Sequence, residues 1–183
     1  IVRPPARGAH NLRNAMLALA VARECGISAA DAARGMTGAT IPSMRLDWEQ
    51  LGAATLINDA YNASPASMRA ALDLLGALDT VRQRVAVLGT MRELGAHAAR
   101  LHEDAARHAL GSSVDVIAAT GEMARALRAI APDDPRLVLA EDVEPLWPRL
   151  EPRLARDAIV LLKASRGVKL ERLVPFLSAW ANR

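Results

Sequence analysis

The sequence predicts an α/β protein: a Rossmann-like parallel sheet with helices on both faces, preceded by a short helical tail. Three observations carry this. Apolar runs alternate with amphipathic stretches at intervals of roughly 25 residues, the pattern of strand and crossover helix. The runs are nearly continuous in apolar residues, as strands covered on both faces are. Crossovers between parallel strands are almost always right-handed, which selects a doubly wound sheet.

The elements follow in order. Residues 1–8 (IVRPPARG) hold two prolines and a glycine, so no regular element is expected there. Ala9 to Glu24 reads as helix, with Leu12, Met16, Leu19, Ala20 and Arg23 at spacings of three and four; Gly26 ends it. Ser28 is the expected N-cap of a second helix, Ala29 to Gly35. Gly35, Gly38 and Pro42 mark a break, so the expected domains are 1–41 and 42–183. Arg45–Glu49 and Ala53–Asn58, around Gly52, suggest an opening hairpin. The expected strands are Thr55–Asn58, Val85–Gly89, Val114–Thr120, Leu137–Ala140 and Ala158–Lys163. The expected helices are Pro65–Leu78, His97–Leu110, Glu122–Ile130, Val143–Leu154 and Leu170–Trp180. The first of these puts Met68, Leu72, Leu75 and Leu78 on one face. The first 41 residues hold two helices and no strand, like the tail of a domain whose main body is elsewhere.

Composition narrows the function. The chain has 183 residues, enough for one good core or one domain plus a piece of another. Its 23 Lys and Arg against 20 Asp and Glu are dispersed, which argues against a nucleic-acid surface. Cys25 is the sole cysteine, so no intrachain disulfide forms. No apolar run approaches the ~18 residues of a membrane span, and the first residues are not expected to act as a signal peptide. The expectation is a cytoplasmic protein without membrane insertion.

In open parallel sheets, ligands bind beyond the carboxyl ends of strands. Three such ends carry unusual residues. Asn58-Asp59-Ala60-Tyr61-Asn62-Ala63-Ser64-Pro65 includes the only tyrosine. Ser64 and Pro65 suit an N-cap and a first helical turn. Asp59, Tyr61 and Asn62 suit a ribose diol and an adenine edge, or else an Asx-turn beside a half-buried tyrosine. Val87-Leu88-Gly89-Thr90-Met91-Arg92-Glu93-Leu94-Gly95 is no phosphate loop, and His97 and His102 are spaced wrongly for a metal pair on one helix face. Lys163-Ala164-Ser165-Arg166-Gly167 offers cations and a hydroxyl near a helix start, fit for an anion or carboxylate, or else forms a solvated loop with a capping serine. Outside the sheet, Gly8-Ala9-His10-Asn11-Leu12-Arg13-Asn14 opens the first helix; Asn11 is an N-cap, or His10, Asn11 and Asn14 face a flat heterocycle.

The order of these stretches is specific. G-x-H-N-x-x-N, then Met44-Arg45-Leu46, then N-D-A-Y-N-A-S-P-x-S-M, V-L-G-x-M-x-E-L-G and K-x-S-R-G resembles the Mur ligases, and within them the F-type enzymes, over nearly the whole chain. The resemblance implies an ATP-dependent ligase that uses Mg²⁺ and joins D-alanyl-D-alanine to UDP-N-acetylmuramoyl-tripeptide in peptidoglycan synthesis. An acyl phosphate forms on the tripeptide carboxylate, giving a poor electrophile a leaving group, and the dipeptide amine displaces it. The resemblance implies that residues 1–41 end the central ATP-binding domain and that 42–183 form the C-terminal Rossmann-like domain. It assigns His10, Asn11, Asn14, Arg45, Asp59, Tyr61 and Asn62 to the nucleotide, and Lys163, Ser165 and Arg166 to the substrate side.

The sequence departs from the family pattern at Ser64, Thr90 and Ala164, where Asn, Asp and Gly are usual. It contains no GxxGK[ST] loop and no family magnesium ligands, so catalytic and metal-binding residues are expected upstream. The chain is therefore expected to be the C-terminal part of a longer enzyme and inactive alone. Two alternatives are a non-catalytic Rossmann-like nucleotide-binding module and another amide ligase related to folylpolyglutamate synthase.

Overall fold

The computed structural model describes residues 9–40 and 43–183, residues 9 and 10 through their backbone alone. Two compact units form, Ile1–Leu46 and Asp47–Arg183. Residues 41 and 42, where the sequence pattern places the boundary, lie outside the described residues.

In the first unit, α1 (Ala9–Glu24) packs on α2 (Ala29–Thr37). The Ser28 hydroxyl caps α2 by accepting the Asp31 N–H at 3.1 Å, as expected. Leu12, Met16, Leu17 and Val21 of α1 are each more than half exposed.

The second unit is a six-stranded sheet. Its strands are β1 (Asp47–Leu51), β2 (Ala54–Asp59), β3 (Arg84–Leu88), β4 (Val116–Thr120), β5 (Leu137–Ala140) and β6 (Ile159–Lys163), in the order β1-β2-β6-β3-β4-β5. β1 and β2 form the expected antiparallel hairpin, with β1 two residues later than Arg45–Glu49, and the remaining pairs are parallel. β6 lies between β2 and β3, so the loops after all three open side by side. In particular, Asp59 is paired across from Lys163, and Lys163 across from Leu88.

The helices are α3 (Pro65–Gly76), α4 (Ala98–Leu110), α5 (Gly121–Ile130), α6 (Val143–Leu150) and α7 (Val174–Ala181). One side of the sheet, with Leu56, Val85, Val87, Val116, Ala118, Val160 and Leu162, meets α6, α7 and the turn Leu170–Leu173. Alternate strand residues point the other way. There Met68, Leu72 and Leu75 of α3, Ala106 of α4, and Met123 and Leu127 of α5 are fully buried. Each large apolar side chain so buried contributes about 1.5–3 kcal/mol before the entropy cost of ordering it.

Element ends differ from expectation where proline or capping intervenes. α3 stops at Gly76, leaving Leu78 half-buried beyond it. α6 stops at Leu150 and hands over to a tight turn, Glu151–Arg153, at Pro152, which has no N–H to continue the helix. The last helix divides into the turn Leu170–Leu173 and α7, with Pro175 in the first turn of α7. A turn at Gly95–His97 precedes α4.

Candidate functional site

His10, Asn11, Asn14 and Arg45 belong to the first unit. Asn11 is half-buried and Asn14 exposed on the opening turns of α1; the His10 side chain lies outside the described residues. Arg45 is exposed, between Met44 (φ 59°) and Leu46 (φ 55°). Two non-glycine residues in the left-handed region cost energy, and such strain concentrates where a side chain is held for use.

The second unit brings Asp59, Tyr61, Asn62, Lys163, Ser165 and Arg166 together at the adjoining ends of β2 and β6. Lys163 is buried, at 2% exposure. Its Nζ lies 2.7 Å from Asp59 Oδ2 and donates to the Asn62 carbonyl at 2.7 Å. Lys163, expected on the substrate side, therefore sits among residues expected to hold the nucleotide. The parallel register explains this, because paired residues project to the same side of the sheet. Arg166 is exposed, its guanidinium 5.8 Å from the centre of the Tyr61 ring, within cation–π range.

Ser165 is also buried, and it joins two loops. Its hydroxyl accepts the Arg92 N–H at 2.8 Å and donates to the Ala63 carbonyl at 3.4 Å. Its own N–H donates to the Thr90 carbonyl at 3.1 Å. The loop after β3 is pinned again by a histidine that the sequence pattern raised only as a rejected metal ligand. His102 is buried, its Nε2 accepts the Met91 N–H at 2.9 Å, and its Nδ1 lies 2.7 Å from the Ala98 carbonyl. These partners select the neutral Nδ1–H tautomer. The available signal was a histidine in register with Ala105, Ala106 and Ala109 on the apolar face of α4.

A cleft of about 390 Å³ opens beyond the ends of β3, β4 and β5. Arg92, Lys169 and Arg172 supply positive charge, and Glu141 and Asp142 negative charge. Arg172 is tied to Asp142 at 2.5 Å and Glu144 at 3.0 Å, and Arg92 donates to the Gly167 carbonyl at 3.0 Å. The Thr120 hydroxyl at the base is buried without a hydrogen-bond partner. Gly121 starts α5 at φ 59°, and a Cβ there would lie 2.4 Å from Thr90 Oγ1. Such a cleft suits a small zwitterion, with cations and the α5 start for a carboxylate and acids for an ammonium.

The family profile described as "Mur ligase, glutamate ligase domain" matches residues 44–166. The chain belongs to the Mur ligase family. Among curated relatives, the UDP-N-acetylmuramoyl-tripeptide--D-alanyl-D-alanine ligase of Bacillus subtilis is 34% identical over 176 residues, covering 93% of this chain and 38% of the relative. The ligase of the same name from Treponema pallidum is 36% identical over 179 residues, covering 96% of this chain and 39% of the relative. Among solved structures, MurF from Acinetobacter baumannii superimposes with a TM-score of 0.86 at 31% identity, over 97% of this chain and 39% of that one. The chain spans about two fifths of the length of these relatives.

The departures from the Mur ligase pattern have local explanations. Ser64 caps α3 by accepting the Ser67 N–H at 3.3 Å, and Ser67 Oγ returns the bond by accepting the Ser64 N–H at 2.9 Å. Thr90 caps α5 across the cleft, its hydroxyl accepting the Glu122 N–H at 3.0 Å. Ala164 is absent from the positive-φ residues, so its Cβ adds no backbone strain. That Cβ is accommodated by Gly89, where a Cβ would approach it to 2.7 Å.

Proposed function

We propose that this chain is the C-terminal part of a cytoplasmic, ATP-dependent ligase that joins D-alanyl-D-alanine to UDP-N-acetylmuramoyl-tripeptide in peptidoglycan precursor synthesis. The names of the two curated relatives support that substrate pair, since each aligns with more than nine tenths of this chain. The single observation that carries the nucleotide reading is the anchored Asp59–Asn62 segment. A carboxylate is held at a strand end by a buried ammonium, beside a tyrosine that remains 39% exposed. An acid so held suits a ribose diol, and the ring suits a base. His10, Asn11 and Asn14 are the proposed nucleotide contacts from residues 1–41, and Arg45 is the one from the start of 42–183. In this reading residues 1–41 end the central ATP-binding domain, and 42–183 form the C-terminal Rossmann-like domain.

The acceptor dipeptide carries an ammonium and a carboxylate, and the cleft beside Arg92 and Lys169 matches both. Of the substrate-side candidates, exposed Arg166 is the one whose charge is presented at the surface. Buried Lys163 contacts Asp59 and Asn62, and buried Ser165 bonds to the backbone of Arg92 and Ala63. Among the described residues no group of three His, Cys, Asp or Glu is placed to hold a metal ion. The reading assigns metal binding and phosphoryl transfer to residues outside this chain.

The test is nucleotide affinity of Asp59→Asn in the complete protein. Asn keeps the shape and still accepts from Lys163, whereas Ala would strand a buried ammonium. Losing one charge-assisted hydrogen bond is expected to weaken ATP binding by roughly tenfold or more. Unchanged affinity, measured by calorimetry, removes Asp59 from the nucleotide site.

A further inference from the structure

Among the described residues, Lys163 is the only Asp, Glu, Lys or Arg that is buried. Burying an ammonium costs several kcal/mol, which its partners must offset. The partners of its ammonium all come from one short segment. Nζ meets Asp59 Oδ2 and the Asn62 carbonyl at 2.7 Å each, and the Asp59 carbonyl at 3.4 Å. One carboxylate and two backbone carbonyls of that segment thus surround the ammonium. Two residues on, Ser165 reaches the next carbonyl of the same segment, that of Ala63.

We infer that Lys163 is a positioning residue for the nucleotide side of the site. It fixes the Asp59 carboxylate and the Asn62 backbone from beneath, and Ser165 extends the hold to Ala63. The strand end that carries K-x-S-R is thus built to aim the Asp59–Asn62 segment, and only Arg166 reaches the surface. An aspartate on an untethered loop would sample several rotamers and pay for ordering when ligand binds. Pairing it with a buried cation makes that arrangement part of the fold. The inference rests on the reading of Asp59–Asn62 as nucleotide-binding, and its test separates the two.

The variant is Lys163→Met in the complete protein, which keeps the stem and removes the donors. Because it strands the Asp59 carboxylate, the double variant Lys163→Met/Asp59→Asn is made beside it and serves if the single one does not fold. Two quantities are read: backbone amide exchange at Tyr61–Ala63, and KM for ATP against KM for D-alanyl-D-alanine. The expected result is faster exchange at these amides and a KM for ATP raised about tenfold, with KM for the dipeptide within about twofold. Unchanged exchange overturns the positioning role. A rise in the dipeptide KM alone overturns it too, making Lys163 an acceptor-binding residue. If the unaltered protein binds no ATP, the nucleotide reading fails, and with it the nucleotide side of this inference. The exchange data then still decide whether Lys163 holds the segment.

Discussion

Gly89 and Ala164 face each other across β3 and β6 at a separation that admits one Cβ and not two. Gly89→Ala is therefore expected to cost about 1–3 kcal/mol by overpacking, and Ala164→Gly in the same chain to recover most of it. Urea denaturation of the two single variants and the double one measures the coupling; additive effects would refute the pairing. Contacts of this kind separate what the sequence discloses from what it does not. The roles of Ser64 and Ser28 were legible, because a cap bonds to an N–H three residues away. The partner of Lys163 was not, because Asp59 is 104 residues distant and only the strand order brings them together. The same holds for Ser165 and Arg92, and for His102 and the Met91 N–H.

Elements were more legible than side chains. Every apolar run foreseen as a strand supplies a strand of the sheet, since buried parallel strands need uninterrupted apolar residues, although Gly89, Val114, Asp115 and Ala158 fall outside the strands. Helix ends were less so: Pro152 and Pro175 divide stretches whose apolar spacing runs straight through them. One connection at this scale has a pH signature. Arg136, at the entry to β5, donates to Asp134 at 2.7 Å and to the Leu110 carbonyl at the end of α4 at 2.8 Å. Hydrogen bonds from the Arg136 side chain, then from its backbone N–H, hold the Asp134 carboxyl below its ordinary value. A carboxyl depressed in the folded state stabilises at pH above its unfolded value, and that contribution is lost as pH falls through the folded one. Asp134→Asn is accordingly expected to be less stable than the unaltered chain near neutral pH, with the gap closing in acid, below the ordinary aspartate range. Urea midpoints followed from neutral to acidic pH check this; a gap that stays constant contradicts it.

At the scale of the whole molecule, sheet order concentrates chemistry. Placing β6 between β2 and β3 gathers three loops at one rim, with the Asp59–Asn62 segment at one side and the mixed-charge cleft at the other. Segment 163–167 borders both, through Lys163 at the first and Gly167 at the second. The sequence showed the motifs that meet there, because their order along the chain is distinctive. It did not show the cleft, whose Arg92, Glu141 with Asp142, and Lys169 with Arg172 come from three separate segments with no spacing rule to join them. The most direct test of the central claim is phosphate release by the complete protein given ATP, UDP-N-acetylmuramoyl-tripeptide and D-alanyl-D-alanine. The account predicts release that requires all three and yields the ligated pentapeptide product, while the 183 residues alone give none. No release from the complete protein with this substrate set, or turnover by the 183 residues alone, would contradict it.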